Sequence, residues 1–131
     1  MVDNVTPTAP PTTATRPWGF HAIMDCANCN SEKITDIANI SAWLVNTLQE
    51  TELTAVGTAT VVAADAGYTA VQILTTGTIT AQFVNADNQV YIDVFSNTEY
   101  NPINLETSIK TFFGVVEADI KKILIPRNAT V

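Results

Sequence analysis

Tyr68 to Ser96 reads YTAVQILTTGTITAQFVNADNQVYIDVFS, and this run decides the fold. Tyr68 to Thr75, Thr78 to Val84 and Val90 to Ser96 are short stretches rich in β-branched and aromatic residues, which suit a pleated, half-buried surface. Asn85-Ala86-Asp87-Asn88 between the last two has turn chemistry, so they form a hairpin pattern. Just upstream, Ala66-Gly67 is a turn signal, and Leu53 to Ala64 is β-branched and aperiodic, which predicts another strand. Four consecutive strands with short connections must lie mainly antiparallel, because parallel neighbours need long crossovers.

Further out the pattern changes. Ile37, Ile40, Leu44 and Leu48 recur at helical spacing, with Trp43 and Thr47 beside them, and Asp36 or Asn39 is placed to cap that helix. Before it, Trp18, Phe20, Ala22 and Met24 alternate with Gly19, His21, Ile23 and Asp25, a strand; Cys26 to Thr35 reads as a polar loop. Beyond the hairpin, Asn104 is placed to cap a short helix carrying Leu105, Ile109, Phe112 and Phe113, and Lys121 to Pro126 supplies a last strand. The order β-α-β-β-β-β-α-β predicts an α+β two-layer sandwich, a mainly antiparallel sheet with two helices on one face. The other sheet face must then be polar or buried elsewhere, so self-association into a homo-oligomer through that face is expected.

Composition narrows the function classes. The 131 residues are 47% hydrophobic and 15% charged, enough apolar material for the core of one domain. Six basic against thirteen acidic residues leave a formal net charge of -7, which argues against a partner held by its phosphates, so no nucleic acid is expected. No apolar run approaches a membrane span. Met1-Val2-Asp3-Asn4 shows no basic region followed by an apolar stretch, and two cysteines are too few for a disulfide scaffold, so synthesis in a reducing cytoplasm is expected. Residues 1–17 are Thr, Pro and Ala with few large apolar groups, a tail set apart from a domain spanning residues 18–131. On composition the tail is a flexible segment; held in order, it would be an arm resting on a neighbouring subunit.

Three segments carry a resemblance. They are Gly19-Phe20-His21-Ala22-Ile23-Met24-Asp25 followed by Cys29, Gly67-Tyr68-Thr69-Ala70-Val71-Gln72-Ile73-Leu74, and Tyr91-Ile92-Asp93-Val94-Phe95-Ser96. In this order they resemble the small pyruvoyl-dependent S-adenosylmethionine decarboxylases of polyamine synthesis, over roughly Trp18 to Arg127. Asp25-Cys26-Ala27-Asn28-Cys29-Asn30 and Ile79-Thr80-Ala81-Gln82-Phe83 are most similar to phage-carried members. The resemblance implies a Glu-Ser bond cut by its own serine hydroxyl, leaving a pyruvoyl group that forms a Schiff base with the substrate amine. It also implies a histidine that assists cleavage and a cysteine that protonates the product.

This chain departs from that pattern at the positions that matter. The glutamate falls on Thr76, the serine on Gly77, the histidine on Gln82 and the cysteine on Asn97; the assisting hydroxyl falls on Thr69, which keeps one. Glycine has no hydroxyl to attack its own carbonyl, glutamine does not shuttle protons near neutrality, and asparagine has no thiol. The expectation is therefore an uncleaved chain without a pyruvoyl cofactor. Thr76 and Thr78 both carry hydroxyls, and a threonine could in principle take the serine's role and yield a ketoacyl group.

Other constellations have a functional and an ordinary reading. Cys26-x-x-Cys29 has redox or half-zinc spacing, but a structural zinc needs four ligands, and His21 is the chain's one histidine. Ordinary loop thiols and no metal are expected. His21 and Asp25 share one face of the first strand, and Asp93 lies mid-strand between Ile92 and Val94. These three are the candidate binding residues, for a pocket or a dimer contact; the alternative is a histidine hydrogen-bonded at the sheet surface and a structurally paired carboxylate. Phe112 and Phe113 are read as helix–sheet core.

Two functions from different classes follow. One is a decarboxylase-like fold without catalysis, working as a binding or structural subunit; the phage-like wording points to a virion component. The other is a pyruvoyl-type decarboxylase acting on S-adenosylmethionine or a related amine. Intact mass separates them.

Overall fold

Gly19–Cys26 forms β1, and its neighbours on both sides come from the far half of the chain. The computed structural model describes residues 17–129. Within them β1 is followed by a one-turn helix α1 (Ser31–Ile34), α2 (Ile37–Thr51), β2 (Thr60–Ala64), β3 (Gly67–Ile73), β4 (Gly77–Val84), β5 (Gln89–Ser96), α3 (Pro102–Phe113) and β6 (Ile120–Arg127). The six strands make one sheet in the order β2-β3-β4-β5-β1-β6, with every pair antiparallel. The expected α+β sandwich is the observed one, with α1 added to the two longer helices. The arm expected at residues 1–17 lies outside the described residues except for Pro17.

Alternation fixes which sheet face meets the helices. Ala22, Met24 and Cys26 of β1 are buried, as are Ile79, Ala81 and Phe83 of β4 and Val90, Ile92 and Val94 of β5. The helices answer with Ile40, Trp43 and Leu44 from α2 and Leu105, Ile109 and Phe113 from α3, all at most 1% exposed. Trp43, Phe83 and Phe113 pack ring to ring at 5.0 to 6.4 Å, so the aromatic centre spans both helices and the sheet. The Thr47 and Ser108 hydroxyls meet at 3.0 Å between the helices, and this bond satisfies two polar groups that would otherwise be buried alone.

The helix boundaries follow from capping. Asp36 accepts from the Ala38 N–H and starts α2. Asn101, with Pro102 in the first helical position, accepts from the Ile103 N–H and starts α3. Asn104, the cap expected from sequence, lies one turn inside; its amide instead donates to the Glu50 carbonyl at 3.0 Å and ties α3 to the end of α2. Gly114 ends α3 with φ 66, a left-handed conformation that glycine adopts without strain.

The strand expected over Leu53 to Ala64 is shorter. Gly57, at φ 71, turns the chain out of the extended path, so β2 starts at Thr60 and Ala55 makes only an isolated bridge to Leu74. Asn85–Asp87 closes the β4–β5 hairpin as one 3-10 turn, with Asn88 left-handed at φ 53.

Candidate functional site

The sheet face away from the helices holds most of the residues singled out by sequence. Cross-strand register sets them in rows. One row runs Thr69, Gln82, Tyr91, Asp25, Lys121; the next Val71, Thr80, Asp93, Ile23, Ile123; the next Ile73, Thr78, Phe95, His21, Ile125. His21 and Asp25 share this face, as the alternation predicts. The partner of His21, however, is Asp93 on the adjacent strand: Nε2 lies 3.0 Å from Asp93 Oδ1.

His21 Nδ1 lies 3.2 Å from Arg127 Nη1. A guanidinium only donates, so Nδ1 accepts and Nε2 carries the proton donated to Asp93. The result is an Arg127–His21–Asp93 chain with a neutral imidazole in the middle. Arg127 also lies over the Phe95 ring at 5.8 Å, and Trp18 stacks on the same ring at 5.9 Å with the planes 21° apart. Trp18, Phe95 and Arg127 were not singled out as site residues from sequence. Arg127 had a signal: alternation continues past Pro126 and sets it opposite Gly19, beside His21. Ending the last strand at Pro126 left it out.

The second feature is the β3–β4 turn. The Leu74 N–H donates to the Gly77 carbonyl at 2.9 Å, and the Asn97 N–H donates to the Thr76 carbonyl at 3.0 Å. The Thr76 and Ser96 hydroxyls are 2.6 Å apart, and Ser96 Oγ also accepts from the Thr98 N–H at 3.0 Å. Beside them Gly77 is pressed against β5. A Cβ there would fall inside the van der Waals surface of the Phe95 carbonyl oxygen and 2.7 Å from its carbonyl carbon. Thus Gly77 lacks a hydroxyl and also lacks the volume for any side chain. Lower down, Thr69 Oγ1 donates to Gln82 Oε1 at 2.8 Å across the β3–β4 ladder.

The family model for S-adenosylmethionine decarboxylase matches residues 20–124. The chain belongs to the S-adenosylmethionine decarboxylase family. Among solved structures it is similar to the adenosylmethionine decarboxylase from Aquifex aeolicus VF5, with a TM-score of 0.73 at 18% identity over 88% of this chain and 95% of that one. At that identity the likeness speaks for the fold. No curated protein matches the chain by sequence.

Within the family's frame, the residues at the turn do not fit a pyruvoyl group. Its precursor hydroxyl has neither an atom nor a space at Gly77, and the Thr76 hydroxyl is held by Ser96. The Thr69–Gln82 contact keeps two polar side chains in mutual reach, but a glutamine amide does not exchange a proton near neutral pH.

Both cysteines are buried in the core, Cys26 at the end of a strand and Cys29 in the loop that follows it. Cys26 ends β1 and is 2% exposed; Cys29 is 5% exposed. Burial, with the charges of Cys29, Asp25 and Glu106 adding to it, pushes the Cys26 thiol up to about 12. Burial and Asp119 push Cys29 to about 11. Such thiols stay protonated and unreactive at neutral pH. Among the described residues no three His, Cys, Asp or Glu side chains gather where they would hold a metal ion, and no helix is long and apolar enough to cross a membrane.

Proposed function

We propose that this chain is a non-catalytic member of its family that stays uncleaved, carries no pyruvoyl group and works as a binding or structural subunit. The closure of β5 on Gly77 carries the reading: where the family's chemistry needs a nucleophilic hydroxyl, the Phe95 carbonyl fills the space. The chain self-associates through its open sheet face. That face exposes apolar side chains such as Ile123 at 55% and Ile73 at 49%. Its charged groups have partners on the face: Asp93 accepts from His21, whose other ring nitrogen accepts from Arg127, and Asp25 is in register with Lys121. A partner surface then meets charges that are already hydrogen-bonded or in register with an opposite charge. Synthesis in the cytoplasm and incorporation into a phage particle complete the reading, supported by the phage-like wording of residues 25–30 and 79–83.

Intact mass tests the first part. The expected result is one species at 14.1 kDa. Two fragments split between Thr76 and Gly77, the downstream one with a blocked N-terminus, would overturn it. A second reading, a pyruvoyl-type decarboxylase using Thr76 or Thr78, draws on family membership and the hydroxyl pair at Thr76 and Ser96; the same spectrum decides it. A particle destination is abandoned if the protein is absent from purified virions.

A further inference from the structure

The helix side of the β1–β6 edge has a groove that the described residues leave open. It has a volume of about 240 Å³ and runs between β6 and the start of α3. Its wall is aromatic and proline-rich: Phe20, Tyr100, Pro102, Leu124 and Pro126 line it, with Glu99 as its acid. Leu124 is 54% exposed, and Ile103 beside Pro102 is 67% exposed. Aromatic and proline walls of this kind take extended proline-rich chain, which brings a preformed left-handed helix and so loses little entropy on docking.

This sequence contains one such segment. Residues 1–16 hold Pro7, Pro10 and Pro11 among threonines and alanines, and their one basic side chain is Arg16, opposite in sign to Glu99. The seven steps from Pro10 to Pro17 would reach roughly 20 Å in that conformation. Trp18 stands on the open face, stacked on Phe95, and Arg127 to Ala129 border it at the sheet edge. The groove lies on the opposite face, so a chain folding back on its own subunit must pass round that border. A second copy presents the groove without this obstacle.

We propose that this groove receives the Thr/Pro-rich N-terminal segment of a neighbouring copy of the chain. The inference rests on the self-association proposed above and names the surface that the arm uses. The test mixes two full-length samples. One is ¹⁵N-labelled; the other carries Thr12→Cys with a nitroxide, and the buried Cys26 and Cys29 are spared by the labelling reagent. After re-equilibration the Tyr100 and Leu124 amide signals of the isotope-labelled chain lose most of their intensity, while Ala63 on the far edge strand keeps its own. Leu124→Glu, at an exposed edge position, abolishes the loss. No loss in the mixed sample overturns the proposal, as does loss seen only when nitroxide and isotope share a chain, or loss that survives Leu124→Glu. Sedimentation of Ile123→Glu, on the open face, beside Leu124→Glu, in the groove, reports the sheet-face association separately, so the two readings fail independently.

Discussion

Tyr100 sets its phenol between two strands: the hydroxyl accepts from the Ala22 N–H at 3.1 Å and donates to the Val94 carbonyl. Burial pushes its pKa up to about 12, so it stays a neutral donor through the physiological range. Tyr100→Phe keeps the ring and leaves the Ala22 N–H and Val94 carbonyl without this partner. The expected loss is about 1–3 kcal/mol of stability, read as a lower urea midpoint at unchanged slope. An unchanged midpoint would show that the ladder closes over the missing oxygen. Gly77 gives the second expectation at this scale. The double variant Gly77→Ser with Gln82→His restores two of the family's side-chain types, yet the added Cβ meets the Phe95 carbonyl. The variant remains one chain by intact mass and is destabilised by about 1–3 kcal/mol through overpacking. Cleavage would mean that β4 and β5 separate readily at this point.

Among the elements, α3 and β6 are joined by charge as well as by packing. Glu106 on α3 has a side chain only 9% exposed; Lys122 of β6 lies 3.0 Å from it and Lys110, one turn on, 3.4 Å. Burial alone would raise the carboxyl pKa, but these two ammonium groups outweigh it and hold the pKa below its ordinary 4.5. A depressed folded-state pKa means stability that is present above the unfolded value and lost as pH falls through the folded one. Glu106→Gln is therefore less stable than the parent at neutral pH. The gap narrows only below about pH 4.5, as thermal unfolding across a pH series would show; a gap constant down to pH 2 would sink the account. Much of the element pattern was legible because alternation and helical spacing are set by burial, and burial follows side-chain type. What the sequence hid was local backbone detail. Asn101 and Asn104 are equally good caps by type, and only the proline between them marks which one starts α3. Gly57 carries the break before β2, yet the β-branched residues around it masked the break. The site was half legible: His21, Asp25 and Asp93 fall together on one face, but Arg127 joins them through a pairing between chain ends that no local pattern records.

For the whole molecule the open face is the deciding surface. Six strands about 4.8 Å apart, of five to eight residues rising about 3.3 Å each, span at most roughly 29 by 26 Å. That is close to the about 800 Å² per partner of a standard stable interface. The size suits a second copy of the chain, and the Arg127–His21–Asp93 chain gives both end charges a hydrogen-bond partner on the face. Ile123, near the middle of β6 and 55% exposed, makes the discriminating position. Its side chain is not needed for the core, so Ile123→Glu leaves the fold intact while adding a second carboxylate to the row that holds Asp93. Sedimentation equilibrium is expected to give twice the chain mass for the parent and the single-chain mass for Ile123→Glu, with the same circular dichroism. A parent that sediments as a single chain at high concentration would remove the sheet face as the site of assembly. A variant that still pairs would move the contact to another surface, leaving the turn at Gly77 to be judged by its own measurement.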